Sequence, residues 1–64
     1  MNKDYDGKKM VVGGVYITTD ENCGFPQWDL LVYRGRDMYE GVFCESFGTR
    51  YMVDSPTLVK IGDL

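Results

Sequence analysis

The side chains that could support catalysis are few in this chain and lie far apart in the sequence. There is no histidine, so the chain lacks the side chain whose unperturbed pKa best suits proton transfer near neutral pH. Cys44 alternates with Val42 in a predicted strand, which is typical of a small buried side chain. Cys23 lies in a predicted loop without a nearby cationic cluster to lower its pKa. We therefore expect no enzymatic activity and no catalytic residue.

Metal and cofactor sites are not expected either. The two cysteines cannot complete a structural zinc site without histidine, because such a site takes four ligands. The acidic residues Asp20 and Glu21 form only a fragment of a calcium loop, which needs oxygen ligands at alternating positions. The glycines of residues 12–15 lack the spacing of a phosphate-binding loop. The sequence predicts neither a bound metal nor a cofactor.

The charge and hydropathy of the chain argue against nucleic-acid and membrane binding. Seven basic residues against ten acidic ones give a net charge of −3, whereas nonspecific binding to phosphates depends on Lys and Arg displacing counterions. No apolar run approaches the ~20 residues that a membrane helix requires. The N-terminus shows no signal-peptide pattern. We expect a cytoplasmic protein whose cysteines are free thiols.

Composition and periodicity predict an all-β fold. The chain has no alanine, the best helix former, and is rich in the β-branched and aromatic residues that suit strands. Alternating patterns predict strands over residues 10–18, 28–33, 38–45, 50–54 and 58–61. Turn-forming residues predict a long loop at 19–27, a turn at 34–37 and a hairpin turn at 46–49. The Ser-Pro pair at 55–56 predicts a single 3₁₀ turn before the last strand.

The order of these elements resembles the Src-homology-3-type small barrel, a fold in which five short strands curl around one core. The resemblance covers residues 9–61 and concerns element order and turn placement, without the acidic loop motif of its peptide-binding families. It implies a single small β-barrel domain over residues 9–64, preceded by a flexible lead-in at residues 1–8, and a binding surface rather than an active site. A four-stranded antiparallel meander that dimerises is the structural alternative.

The same alternation predicts which side chains face the core and which face outward. The residues expected to face inward are Val15, Ile17, Trp28, Leu30, Val32 and Val53, with Trp28 as the anchor. Those expected to face outward are Tyr16, Leu31, Tyr33 and Met52. Outward Tyr16, Leu31 and Tyr33 would form an apolar patch of the kind that marks protein contacts, with Phe25 in the loop as a further contact.

Two functions are compatible with these features. The first is a small protein-binding module that modulates or inhibits a larger partner by steric contact, with self-association as a variant. In size and acidity such a chain is similar to the accessory and host-takeover proteins that bacteriophages encode. The alternative is a nucleic-acid-associated barrel that uses local contacts from Arg34, Arg36 and Arg50. Salt dependence distinguishes the two, because phosphate binding weakens steeply with salt and an apolar interface does not.

Overall fold

A computed structural model describes residues 2–19, 30–38 and 41–64 of the chain. In these residues five strands form one antiparallel sheet with the order β4-β3-β2-β1-β5. The strands are β1 Gly14–Thr18, β2 Leu30–Met38, β3 Gly41–Ser46, β4 Thr49–Val53 and β5 Leu58–Asp63, with a 3₁₀ helix at Ser55–Thr57. The all-β class and the 3₁₀ turn before the last strand are confirmed. The described residues contain no helix that is long and apolar enough to cross a membrane.

The sheet is open rather than closed into a barrel. Strands β4 and β5 are its two edges, and within the described ranges they do not pair with each other. The closed barrel expected from the element order is therefore not formed. A small antiparallel all-β sheet, with β1 between β2 and β5, is what the chain adopts.

The turn predicted at residues 34–37 is wrong, because β2 runs through it without a break. Tyr33 pairs with Cys44 and Arg36 pairs with Phe43, so β2 contains two residues more than β3 between these pairs. The inserted residues form a β-bulge that Gly35 makes possible, since its φ of 89° is a conformation that other residues rarely adopt. A glycine between charged residues is thus the signal of a bulge here and not of a turn.

The hairpin turn between β3 and β4 is confirmed. Ser46 pairs with Thr49, and the two residues between them have positive φ values, 50° at Phe47 and 78° at Gly48. Positive φ at both central positions is what a type I′ turn requires, and this turn matches the twist of the strands that it joins. The pairing of β3 with β4 continues without a register shift as far as Val42 and Val53.

One face of the sheet packs as the core, and it is not the face expected for β1 and β2. The buried apolar residues are Met10, Tyr16, Leu31, Tyr33, Val42, Cys44, Val53 and Leu58. The outward orientation predicted for Tyr16, Leu31 and Tyr33 is wrong, whereas burial of Val53 and Cys44 and exposure of Met52 are confirmed. Both faces of β1 and β2 are apolar in sequence, so alternation separates the faces without deciding which one is buried. The face that carries the two tyrosines, Tyr16 and Tyr33, is the one that lies in the core.

The hydroxyl groups of Tyr16 and Tyr33 form hydrogen bonds inside the protein. These bonds offset the hydration that the hydroxyl groups lose on burial, so both rings can lie in the core. The Tyr16 hydroxyl accepts a hydrogen bond of 2.9 Å from the backbone N–H of Val11. The Tyr33 hydroxyl donates to the Asp37 carboxylate. A buried hydroxyl without a partner would destabilise the fold by about 1–3 kcal/mol. With the hydroxyls satisfied, each ring contributes its full apolar area to the core.

Residues 2–9, which belong largely to the predicted lead-in, fold into a tight hairpin against β5. The Asp4 side chain is buried, and its Oδ1 accepts hydrogen bonds of 2.9 Å from the backbone N–H groups of Asp6 and Lys8. The N–H of Tyr5 donates to the carbonyl of Leu58 at 2.8 Å. The flexibility of this segment stays a prediction, but its backbone makes defined contacts with the sheet.

Candidate functional site

The sheet face opposite the core, called the outer face below, carries exposed apolar and charged side chains from neighbouring strands. Val15 pairs with Val32, Val32 pairs with Glu45, and Glu45 pairs with Arg50. Residues that are direct partners across strands project on the same side of a sheet, so this row crosses β1, β2, β3 and β4 on one face. The row changes from apolar at β1 to charged at β4.

The apolar end of the outer face contains an open groove with a volume of about 360 Å³, called the outer groove. Its lining residues are Val15, Leu30, Val32, Glu45, Ser46, Phe47 and Leu64. The exposed fractions are 54% for Leu30 and 77% for Leu64, while the Phe47 side chain is completely exposed. Scattered apolar residues are normal on a protein surface, but a contiguous concave patch of them is typical of an interaction site.

Phe47 occupies a position that the stability of the fold alone would not assign to phenylalanine. Its φ of 50° lies in the left-handed region, which destabilises a residue with a Cβ by roughly 1–2 kcal/mol. Type I′ turns favour Asn or Asp before Gly, and here the residue before Gly48 is aromatic and fully exposed. Phe47 thus combines backbone strain with an exposed aromatic ring, and such combinations concentrate at functional sites.

The charged end of the outer face gathers all three arginines of the chain, Arg34, Arg36 and Arg50. The guanidinium carbon of Arg36 lies 5.7 Å from the centre of the Phe43 ring, a cation–π contact. Arg36, Phe43 and Arg50 line a depression of about 230 Å³, called the arginine pocket. Arg34 forms an ion pair of 3.2 Å with Glu45, which also lines the outer groove. The pocket and the groove are two separate depressions on the same face, and Glu45 of the groove pairs across the strands with Arg50 of the pocket.

The predicted binding residues divide between the two faces of the sheet. Arg34 and Arg36 are exposed on the outer face, as their proposed role requires. Tyr16, Leu31 and Tyr33 lie in the core, so they cannot form the surface patch that was predicted from their alternation. Two further predictions, Phe25 as a contact and Trp28 as the core anchor, lie outside the described residues.

The sequence pattern does not predict the outer groove. It predicts that Leu30 and Val32 face the core and that Phe47 belongs to a turn. The available signal was the Phe-Gly pair at the hairpin, since an aromatic residue at a position that favours Asn indicates a purpose other than folding.

Inside the core, two ionisable groups, the Cys44 thiol and the Tyr33 hydroxyl, have raised pKa values. Burial, followed by the negative charge of Asp37, raises the pKa of the Cys44 thiol to about 12. Burial and the hydrogen bond to Asp37 raise the pKa of Tyr33 to about 12. A reactive cysteine needs a lowered pKa, so Cys44 has the properties of a structural residue. No cluster of three or more metal-ligating side chains occurs in the described ranges.

The outer face offers apolar contact area bordered by guanidinium groups, which is the composition of a contact surface. Comparisons of the chain with protein-family models, with curated proteins and with solved structures find no match. The function is therefore inferred from the geometry of this face.

Proposed function

We propose that this chain is a small cytoplasmic protein-binding module that modulates or inhibits a larger partner by covering a site on it with the outer groove. The observation that carries the proposal is Phe47, a fully exposed aromatic ring held at a positive φ on the rim of an apolar groove. The ring lies beside Leu30 and Leu64. A partner that covers it removes apolar surface from water, and this stabilises the complex by roughly 25 cal/mol per Å² of buried apolar area.

The composition of the outer face supports a protein as the partner. Interfaces are enriched in aromatic residues, Met and Arg, and they combine an apolar centre with a polar rim. Phe47, Leu30 and Leu64 form such a centre, while Arg34 and Glu45 form a charged border. The proposed mechanism is steric: the chain covers a site on the partner and thereby blocks access to it.

The architecture supports a binding role as well. We propose that the sheet is an open variant of the Src-homology-3-type barrel, on the basis of its element order and the 3₁₀ turn before β5. Folds of this kind serve many binding functions through the surfaces of their strands and loops. A short acidic module of this type would suit the accessory or host-takeover role of a phage-encoded protein.

Site-specific photo-crosslinking in the cells of origin tests the proposal. The photoreactive residue p-benzoylphenylalanine at position 47 should give a discrete adduct with one protein. The control places the same residue at Tyr5, which is 62% exposed in the N-terminal hairpin. The proposal would be contradicted if the residue at position 47 gave the same crosslinked adducts as the residue at position 5, or gave none. With the partner identified, Phe47→Ser should weaken binding while Tyr5→Ser leaves it unchanged.

A second candidate is the nucleic-acid-associated barrel, which the arginine pocket favours because it brings Arg36 and Arg50 beside an aromatic ring. Fluorescence anisotropy with a labelled single-stranded oligothymidine tests it. Binding that weakens steeply between about 50 and 200 mM salt would support this function. No saturable binding at the lower salt concentration would exclude it.

A further inference from the structure

We infer that the arginine pocket binds a carboxylate group of the protein partner, so that the partner presents an acidic side chain next to the apolar ones that enter the outer groove. This inference rests on the proposed function and specifies its partner. The two sites share one face, and Glu45 joins them, since it lines the groove and pairs in register with Arg50. One continuous segment of a partner could therefore occupy both.

The position of Arg36 prepares its guanidinium group for a carboxylate. The group lies over the Phe43 ring, and this contact restricts a side chain that is otherwise rich in rotamers. A guanidinium over the face of a ring still has N–H donors that can match the two oxygens of a carboxylate. Less conformational entropy is then lost when the ligand binds.

Among the described residues, the charges at the pocket are positive although the chain as a whole is acidic. Arg34 is paired with Glu45 at 3.2 Å. Neither Arg36 nor Arg50 forms an ion pair with any carboxylate of residues 2–19, 30–38 or 41–64. Both arginines line the same small depression, so an anion there would lie close to two positively charged side chains. Charge complementarity therefore favours an acidic group as the occupant.

A protein carboxylate fits this surface better than the phosphates of a nucleic acid. Nucleic acids bind along a track of cations, with bases stacked on open aromatic faces. The arginine pocket has one aromatic ring, Phe43, with the Arg36 guanidinium over it, and the neighbouring surface is the apolar outer groove. The lysines Lys8, Lys9 and Lys60 line a different depression together with Asp4 and Asp6, so they do not extend the arginine pocket into a track.

Two synthetic peptide pools that differ only in charge provide the test. In one pool Leu or Phe alternates with Glu, and in the other the same apolar residues alternate with Gln. Dissociation constants are measured by fluorescence anisotropy, and ¹⁵N-labelled protein shows which amide resonances shift. We expect the Glu pool to bind about tenfold more tightly, as a charged hydrogen-bonded pair permits, with shifts at Phe43 and Phe47.

Paired charge variants assign that preference to a site. The variant R36Q/R50Q should abolish the preference for the Glu pool, whereas K8Q/K9Q, which removes the same charge elsewhere, should preserve it. Equal binding of the two pools, a preference that survives R36Q/R50Q, or failure of both pools to bind would overturn the inference. Tighter binding of oligothymidine, lost in R36Q/R50Q, would assign the pocket to nucleic acid instead. If the two pools bind equally and Phe47→Ser weakens both, the carboxylate inference fails but the proposed function stands. If no crosslink forms at position 47, both the inference and the proposed function fail.

Discussion

The hydroxyl group of Tyr33 donates a hydrogen bond to the carboxylate of Asp37, four residues further along β2. The bulge between them makes this contact possible. Because the bulge absorbs two residues, Tyr33 and Asp37 lie opposite Cys44 and Val42, which are successive positions on the inner face of β3. The carboxylate thus satisfies the polar end of a buried ring, and its charge also acts on the Cys44 thiol.

Stability should fall at alkaline pH because of these two core residues. The pKa values of Cys44 and Tyr33 are about 12 in the fold, raised from ordinary values of 9.0 and 10.0. Raised pKa values mean that the native state holds protons that the unfolded state releases, so the stabilisation is complete below pH 9.0 and is lost as pH rises toward about 12. The slope should reach about 1.4 kcal/mol per pH unit for each group. Urea unfolding at a series of pH values across this range measures the free energy of unfolding and therefore its slope with pH.

Cys44→Val provides the control for this pH dependence. It removes the thiol and keeps an apolar side chain of similar size, so the decline should begin near pH 10.0, where Tyr33 of the unfolded chain loses its proton while Tyr33 of the folded chain keeps it. An unchanged profile in the variant would show that Cys44 does not contribute.

Tyr16→Ala should unfold the protein or bring it close to unfolding. Tyr16 is fully buried, and truncating a large core aromatic residue costs roughly 3–5 kcal/mol, comparable to the whole stability of so small a domain. Tyr16→Phe keeps the ring and removes only the hydrogen bond to the N–H of Val11, an exposed residue, so it should cost about 0.5–1.5 kcal/mol. Thermal melts followed by circular dichroism compare the two, and a near-native melting temperature for the alanine variant would contradict the buried position.

Phe47→Asn should stabilise the fold while weakening binding to the partner. Asn tolerates the positive φ of the turn better than Phe, so a gain of about 0.5–1 kcal/mol is expected. The same substitution removes the exposed ring from the rim of the outer groove. Denaturant midpoints and partner affinity are measured on the same preparation. A variant that gains stability and retains full affinity would remove Phe47 from the interface.

Gly41→Ala should destabilise the sheet strongly and Gly62→Ala should not. A Cβ at position 41 would overlap the carbonyl oxygen of Val53, which is backbone and cannot move without displacing β4. A Cβ at position 62 would meet nothing within 4 Å. We expect a loss of roughly 1–3 kcal/mol for the first variant and a change within about 0.5 kcal/mol for the second. Similar denaturant midpoints for the two variants would argue against the close approach of β3 and β4.

The sequence predicted the elements better than it predicted their faces. The 3₁₀ turn and the hairpin turn at Phe47 and Gly48 follow from local chemistry, since Pro, Ser and Gly restrict or permit particular φ values in any context. The bulge at Gly35 could not be told from a turn, because both use a glycine with positive φ, and only the pairing partner on β3 distinguishes them. The outer groove was missed for the related reason that Leu30 and Leu31 are equivalent in hydropathy.

The sequence by itself determined the all-β class, the order of the five strands that the structure describes and the positions of the arginines that border the proposed site, because propensity, alternation and charge are local properties of the chain. Only the tertiary structure decided which face of β1 and β2 is buried. That decision depends on the volume that Tyr16 and Tyr33 fill between elements distant in sequence, and on the partners that Val11 and Asp37 provide for their hydroxyl groups. Packing and hydrogen bonding of this kind are nonlocal, so the pattern of a single strand does not contain them.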